Sequence, residues 1–148
     1  MSEADDLARR VAHALLEREG AGPAWGVEID DAREGYARVR MKVRDDMLNG
    51  HRSAHGGMIF ALADTAFAYA CNSRNETTVA QSATIVFLAP AAPGEVLTAE
   101  ARETSRAGRS GVYQVSVRAG DGRAVAEFTG LSRTVGGAVL DGTQGGRD

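Results

Sequence analysis

Between Asn49 and Cys71 the chain reads NGHRSAHGGMIFALADTAFAYAC, a polar, glycine-rich start followed by an apolar run that contains one acid. His55, Gly56 and Gly57 stand where that run begins as a helix. The first N–H groups of a helix have no partner inside it and lie at the positive end of its dipole. Glycine keeps them bare, so a substrate oxygen gaining negative charge can approach the backbone there. Asp64, followed by Thr65, is the lone carboxylate. Apolar surroundings strip a carboxylate of hydration, raise its pKa and strengthen it as a base toward water. Gly56 and Asp64 are eight residues apart. On a helix that is a little over two turns, roughly 10–12 Å at about 1.5 Å per residue. One carbonyl group cannot meet both in a single chain. The spacing asks for a second chain, packed antiparallel, to bring them together.

The elements that position these residues follow from periodicity. Residues 2–19 read as an amphipathic helix: Ser2 caps it, Leu7, Val11 and Leu15 repeat every four residues, and Gly20 and Pro23 close it. Residues 25–43 read as a hairpin, with Ala37, Val39, Met41 and Val43 alternating against Tyr36, Arg38, Arg40 and Lys42. Asp45 to Gly57 is a loop, and a helix runs from about Gly57 to Ser73. Four strands follow over residues 79–90, 95–106, 110–120 and 122–135, the last entered through Asp121-Gly122, a hairpin turn signal. The prediction is one domain over residues 1–148, with 1–24 as helix and connector and 136–148 as a loose, glycine-rich tail. Helix, two strands, helix, four strands is an α+β order, with a sheet able to wrap round a helix apolar on all sides.

"MLNGHRSAHGG" followed by "FALADTAFAYACNS" resembles the PaaI-like acyl-CoA thioesterases of phenylacetate degradation, which have the hotdog fold. The likeness runs from about Trp25 to Gly137 and includes "VFLAPAAPGEVLTAEAR", "GRSGVY" and "GLSRTVGG". It implies hydrolysis of phenylacetyl-CoA or ring-hydroxylated phenylacetyl-CoA to the acid and free CoA. It implies that Gly56 offers its N–H to the thioester oxygen, and that Asp64 attacks the carbon or activates water. Asn49 helps place the nucleophile or water, and His55 supports the loop. Gly57 and Thr65 are expected beside the substrate. The resemblance further implies a dimer of dimers with joined sheets, in which Asp64 faces the other chain's Asn49, His55 and Gly56. The strand hydroxyl that assists in some hotdog thioesterases falls at about Ala80 or Ser82. Arg106, Arg109 and Arg133, near turns, are the candidates for the CoA phosphates. No metal or cofactor is implied beyond the CoA of the substrate.

Plainer readings attach to the same residues. Asp64 could pair with an arginine at an interface, and His55 could only satisfy backbone groups. His51 and His55 are spaced for a metal, but the segment is a loop with no further ligand nearby. Ser53, His55 and Asp64 lack the G-x-S-x-G elbow of a nucleophilic triad. Cys71 reads as a small core residue. Phe60, Phe67 and Tyr69 read as core, one of them a candidate for the acyl pocket. Net charge of -3 gives no basic field for nucleic acid. No apolar run is long enough to span a bilayer, and the single cysteine excludes an internal disulfide, so a cytoplasmic protein is expected. Two rivals remain: an acyl-CoA hydratase or dehydratase on the same fold, and a non-enzymatic acyl-CoA binding protein.

Overall fold

The computed structural model describes residues 2–141. Helix α1 spans Glu3–Arg18, a single turn α2 spans Ala21–Ala24, and the long helix α3 spans Gly56–Cys71. The strands are β1 (Glu28–Arg33), β2 (Tyr36–Lys42), β3 (Thr78–Phe87), β4 (Val96–Ala107), β5 (Ser110–Arg118) and β6 (Ala124–Thr134). Ser2 caps α1 as expected, its Oγ accepting the Asp5 N–H at 3.0 Å, a contact worth about 1 kcal/mol. α1 ends at Arg18, with Glu19 extended; Gly20 and Pro23, expected to close it, belong instead to α2, a turn that no periodicity announced, Gly20 as its N-cap and Pro23 inside it.

All six strands form one antiparallel sheet in the order β1-β2-β4-β5-β6-β3. The sheet lies against α3, which gives the α+β hotdog arrangement. Ile59, Leu62, Ala63, Ala66, Phe67, Tyr69, Ala70 and Cys71 of α3 are buried against it. Gly130 of β6 makes room for that packing, since a Cβ there would stand 2.7 Å from the Phe67 ring. Phe67 also meets the rings of Tyr113 and Phe128 at 5.5 and 5.7 Å. The far end of α3 is tied to α1 by the Tyr69 hydroxyl, which donates to Glu19 at 2.8 Å.

One side of α3 stays open. Gly57 is exposed, and Met58, Phe60, Ala61, Asp64, Thr65 and Ala68 are only half-buried. The helix, apolar on all sides in the sequence, is thus only partly covered within one chain. The two sheet edges also differ. Edge strand β1 carries Glu28, Asp30 and Asp31, has a bulge between Ile29 and Asp31, and packs beside α1. Edge strand β3 is ten residues long, and Val79, Val86 and Phe87 are 47, 54 and 51% exposed.

The expected loose tail needs correction over its first residues. Gly136 and Gly137 turn the chain with φ of 100° and 90°. Val139 is buried. Its carbonyl accepts from Arg18 at 2.7 Å, and the Leu140 N–H donates to Asn75 Oδ1 at 2.7 Å. A buried apolar side chain and paired backbone hold this stretch. Residues 142–148 of the predicted tail lie outside the described residues.

Candidate active site

The start of α3 is built by hydrogen bonds that reach back to His55. His55 has extended backbone, φ -62° and ψ 137°, and caps the helix. Its Nδ1 accepts the Gly57 N–H at 2.8 Å, which puts the proton of the neutral ring on Nε2. Its carbonyl accepts the N–H groups of Met58 at 2.9 Å and Ile59 at 3.2 Å. The four opening N–H groups of a helix need outside partners. The His55 N–H donates to the Met47 carbonyl at 2.8 Å, so those of His55, Gly57 and Met58 are satisfied, and the Gly56 N–H meets no acceptor among the described residues.

That free N–H borders an open cleft of about 350 Å³, lined by Asn49, Ser53, Ala54, Gly56, Ile59 and the stretch Phe87 to Pro90. The Phe87 ring leans on Gly56. A Cβ at position 56 would stand 3.1 Å from it, so a larger residue there needs the ring to give by a few tenths of an ångström. Asn49 shapes the near wall. Its Oδ1 accepts from the backbone N–H groups of His51 at 2.9 Å and Ser53 at 3.2 Å, closing the loop that the Leu48–Ala54 bridge ties off. The carboxamide oxygen is thus engaged, and its NH2 remains to meet a substrate or water.

Asp64 lies on the open side of α3, half-buried. Burial raises its pKa above the ordinary carboxylate value, and no hydrogen bond or ion pair offsets that among the described residues. The interface-arginine pairing considered above is therefore not made within this chain. Nearby, burial and then the Asp64 charge push the Cys71 thiol up to about 12, so Cys71 is an inert core residue.

The remaining expected residues fall into two groups. Gly57 and Thr65 lie on the same helix as Gly56 and Asp64, yet their donors are occupied. The Gly57 N–H goes to His55, and Thr65 Oγ1 donates to the Ala61 carbonyl at 2.8 Å. Arg106 and Arg109 stand at the opposite end of α3 from Gly56, around a pocket of about 10 Å³ that also touches Cys71 and Arg74. Arg106 faces Glu76 at 3.8 Å. Arg133 lies across the ladder from Ser110 and is exposed. Phe60, packed on Phe128 at 5.4 Å, is half-buried on the open side, whereas Phe67 and Tyr69 belong wholly to the core. Phe87 is the site residue that sequence reasoning missed. Its signal was the two-residue alternation that puts it on the same side of β3 as Ala83 and Ile85; half-exposed there, its ring reaches Gly56. A bulge between Ala80 and Ser82 interrupts β3 where a strand hydroxyl was sought.

Comparisons with known proteins agree with this architecture. A model of the thioesterase superfamily matches residues 51–126. The chain is 44% identical over 128 residues to acyl-coenzyme A thioesterase PaaI of Escherichia coli K12, covering 86% of this chain and 91% of that protein. The solved structure of the E. coli PaaI protein superposes with a TM-score of 0.90 over 92% of this chain and 99% of that one, at 43% identity. A hypothetical thioesterase protein of Streptococcus pneumoniae TIGR4, solved with coenzyme A, gives a TM-score of 0.73 at 27% identity, over 76% of this chain and 90% of that one.

Proposed function

The chain belongs to the thioesterase superfamily, in its PaaI-like branch of acyl-CoA thioesterases, and from that premise we propose a substrate, a mechanism and an assembly. The substrate is phenylacetyl-CoA or a ring-hydroxylated phenylacetyl-CoA. Its thioester oxygen receives the Gly56 N–H as negative charge builds on it, an interaction whose loss costs roughly 10²–10³ in rate. Asp64 of a second copy attacks the carbonyl carbon or activates the water that does. The thiolate leaves readily, so no strong general acid is needed, and the products are the carboxylic acid and free CoA. Asn49 steers the nucleophile or water. His55 acts by shaping the loop and helix start. No cofactor enters beyond the CoA carried by the substrate.

The observation that carries this reading is the single unpartnered N–H at the head of α3, opening into a cleft, with an unpaired carboxylate two turns further along. A homodimer that sets two α3 helices antiparallel supplies both halves, and dimers pair into tetramers. The open side of α3 and the apolar β3 edge support that assembly. The hydratase reading is less supported, because it needs a histidine as acid or base and His55 Nδ1 is tied to the helix. No helix among the described residues is long and apolar enough to cross a membrane. Cytoplasmic residence is proposed on the lone cysteine.

Incubation with phenylacetyl-CoA tests the reaction. The expected result is stoichiometric free thiol, read with a disulfide reagent, and faster turnover than with straight-chain acyl-CoA. Conversion of a 3-hydroxyacyl-CoA to its enoyl ester, with water lost, a new double bond formed and no thiol released, would instead identify a dehydratase.

A further inference from the structure

The cleft beside Gly56 continues past Pro90. Ser53 and Pro90 also line a second open groove, of about 610 Å³, whose other walls include His51, Arg52, Glu95 and Arg123. The first section holds the apolar side chains of Ile59, Phe87, Leu88 and Ala89 beside Asn49 and Ser53, and no charged side chain lines it. The second is edged by cations.

Those cations are not equivalent. Arg123 is fully engaged: it donates to Glu95 at 2.8 and 3.0 Å, to Asp121 at 2.9 Å and to the Pro90 carbonyl at 3.3 Å. Arg52 is exposed, and its guanidinium meets no acceptor among the described residues. Its backbone stands at φ 64°, a left-handed conformation that suits glycine better than a residue with a Cβ. The loop enforces it: the Arg52 N–H donates to the Asn49 carbonyl at 3.0 Å, while Asn49 Oδ1 holds the N–H groups of His51 and Ser53 on either side. An arginine is thus held, unpaired, at the tip of the loop that carries Asn49 and leads to Gly56.

Gly56 lies four positions after Arg52, so their Cα atoms are at most about 14 Å apart. Over that distance the lining passes from residues without charge to a rim that carries Arg52, Arg123 and Glu95. The CoA moiety has the same order of polarity: a neutral pantetheine arm next to the thioester, then a diphosphate and a ribose phosphate. Resting on the thioesterase reading, we infer that the CoA arm leaves the Gly56 cleft along this groove and that Arg52 binds its phosphates. A planar guanidinium suits that task, since it forks onto phosphate oxygens.

The test compares phenylacetyl-CoA with phenylacetyl-pantetheine, the same thioester without phosphates. Arg52→Ala should raise KM for the CoA ester about tenfold with kcat unchanged, and leave both constants unchanged for the pantetheine ester. Arg52→Gly should show the same loss of CoA discrimination with a Tm no lower than the parent's, because the left-handed strain is relieved. Arg52→Lys should recover part of the KM. Equal KM changes for the two esters, or no change for the CoA ester, would overturn the proposal. Parent protein that cleaves neither ester overturns the thioesterase reading, and this inference with it.

Discussion

At the scale of single residues, Gly56 and Asp64 each keep a polar group that finds no partner among the described residues. Asp64 carries a burial-raised pKa without a compensating partner in its own chain. In the proposed mechanism it acts only when ionised. The acid limb of kcat/KM should therefore lie above the roughly 3.9 of a free aspartate, and Asp64→Asn should lower kcat by about 10²–10⁴ while substrate still binds. The stability effect has the opposite sense. A folded-state pKa above the unfolded one means the folded chain holds more protons between the two values. The cost of burying Asp64 is then absent below the unfolded pKa and complete above the folded one. Asp64→Asn should raise Tm more at neutral pH than in acid, which thermal melts across pH would record. The lone acid and the glycine pair were both legible in the sequence, because an acid inside an apolar run and two glycines at a helix start are local signals. That His55 takes the Gly57 N–H, and that Phe87 presses on Gly56, depend on atomic geometry and on contacts between distant residues.

At the scale of elements, the helix start offers a clean perturbation. Gly56 is the first residue of α3, His55 before it is extended, and the Gly56 N–H has no partner. Proline is tolerated at this helix position, where its missing donor and fixed φ do no harm, and it prefers an extended residue before it. Gly56→Pro should keep the far-ultraviolet circular dichroism of the parent, with Phe87 shifting slightly. Catalysis should fall by roughly 10²–10³, the cost of one oxyanion donor. Unchanged turnover in that variant would remove Gly56 from the mechanism. Element identity was largely legible: α1, the β1–β2 hairpin, α3 and the four later strands follow from periods of about 3.6 and 2. Strand order was not, because β3 reaches the sheet edge by pairing with β6, across most of the second half of the chain. Nor were α2 and the docking of Val139, since neither leaves a periodic trace in so short a stretch.

At the scale of the whole molecule, two surfaces of one chain are unfinished. The β1 edge is blunted by charge, a bulge and the neighbouring α1, while the β3 edge is long and apolar. The α3 side that carries Asp64 is only partly covered. Both gaps are accounted for by a symmetric pairing, in which each chain lends the same surface to the other. The spacing along α3 gives this pairing its chemical consequence. A catalytic unit would take its N–H from one copy and its carboxylate from the other, and neither copy would be active alone. Mixing chains carrying Asp64→Asn with chains carrying Gly56→Pro, after denaturation and joint refolding, tests this most directly. Each variant alone is inactive on this account. A random equal mixture should recover about one quarter of the parent's thioesterase activity, because half of the symmetric pairs are mixed and each of these has one intact site of two. No recovery above the separate variants, with mixed pairs demonstrated by mass spectrometry, would contradict a site shared between chains.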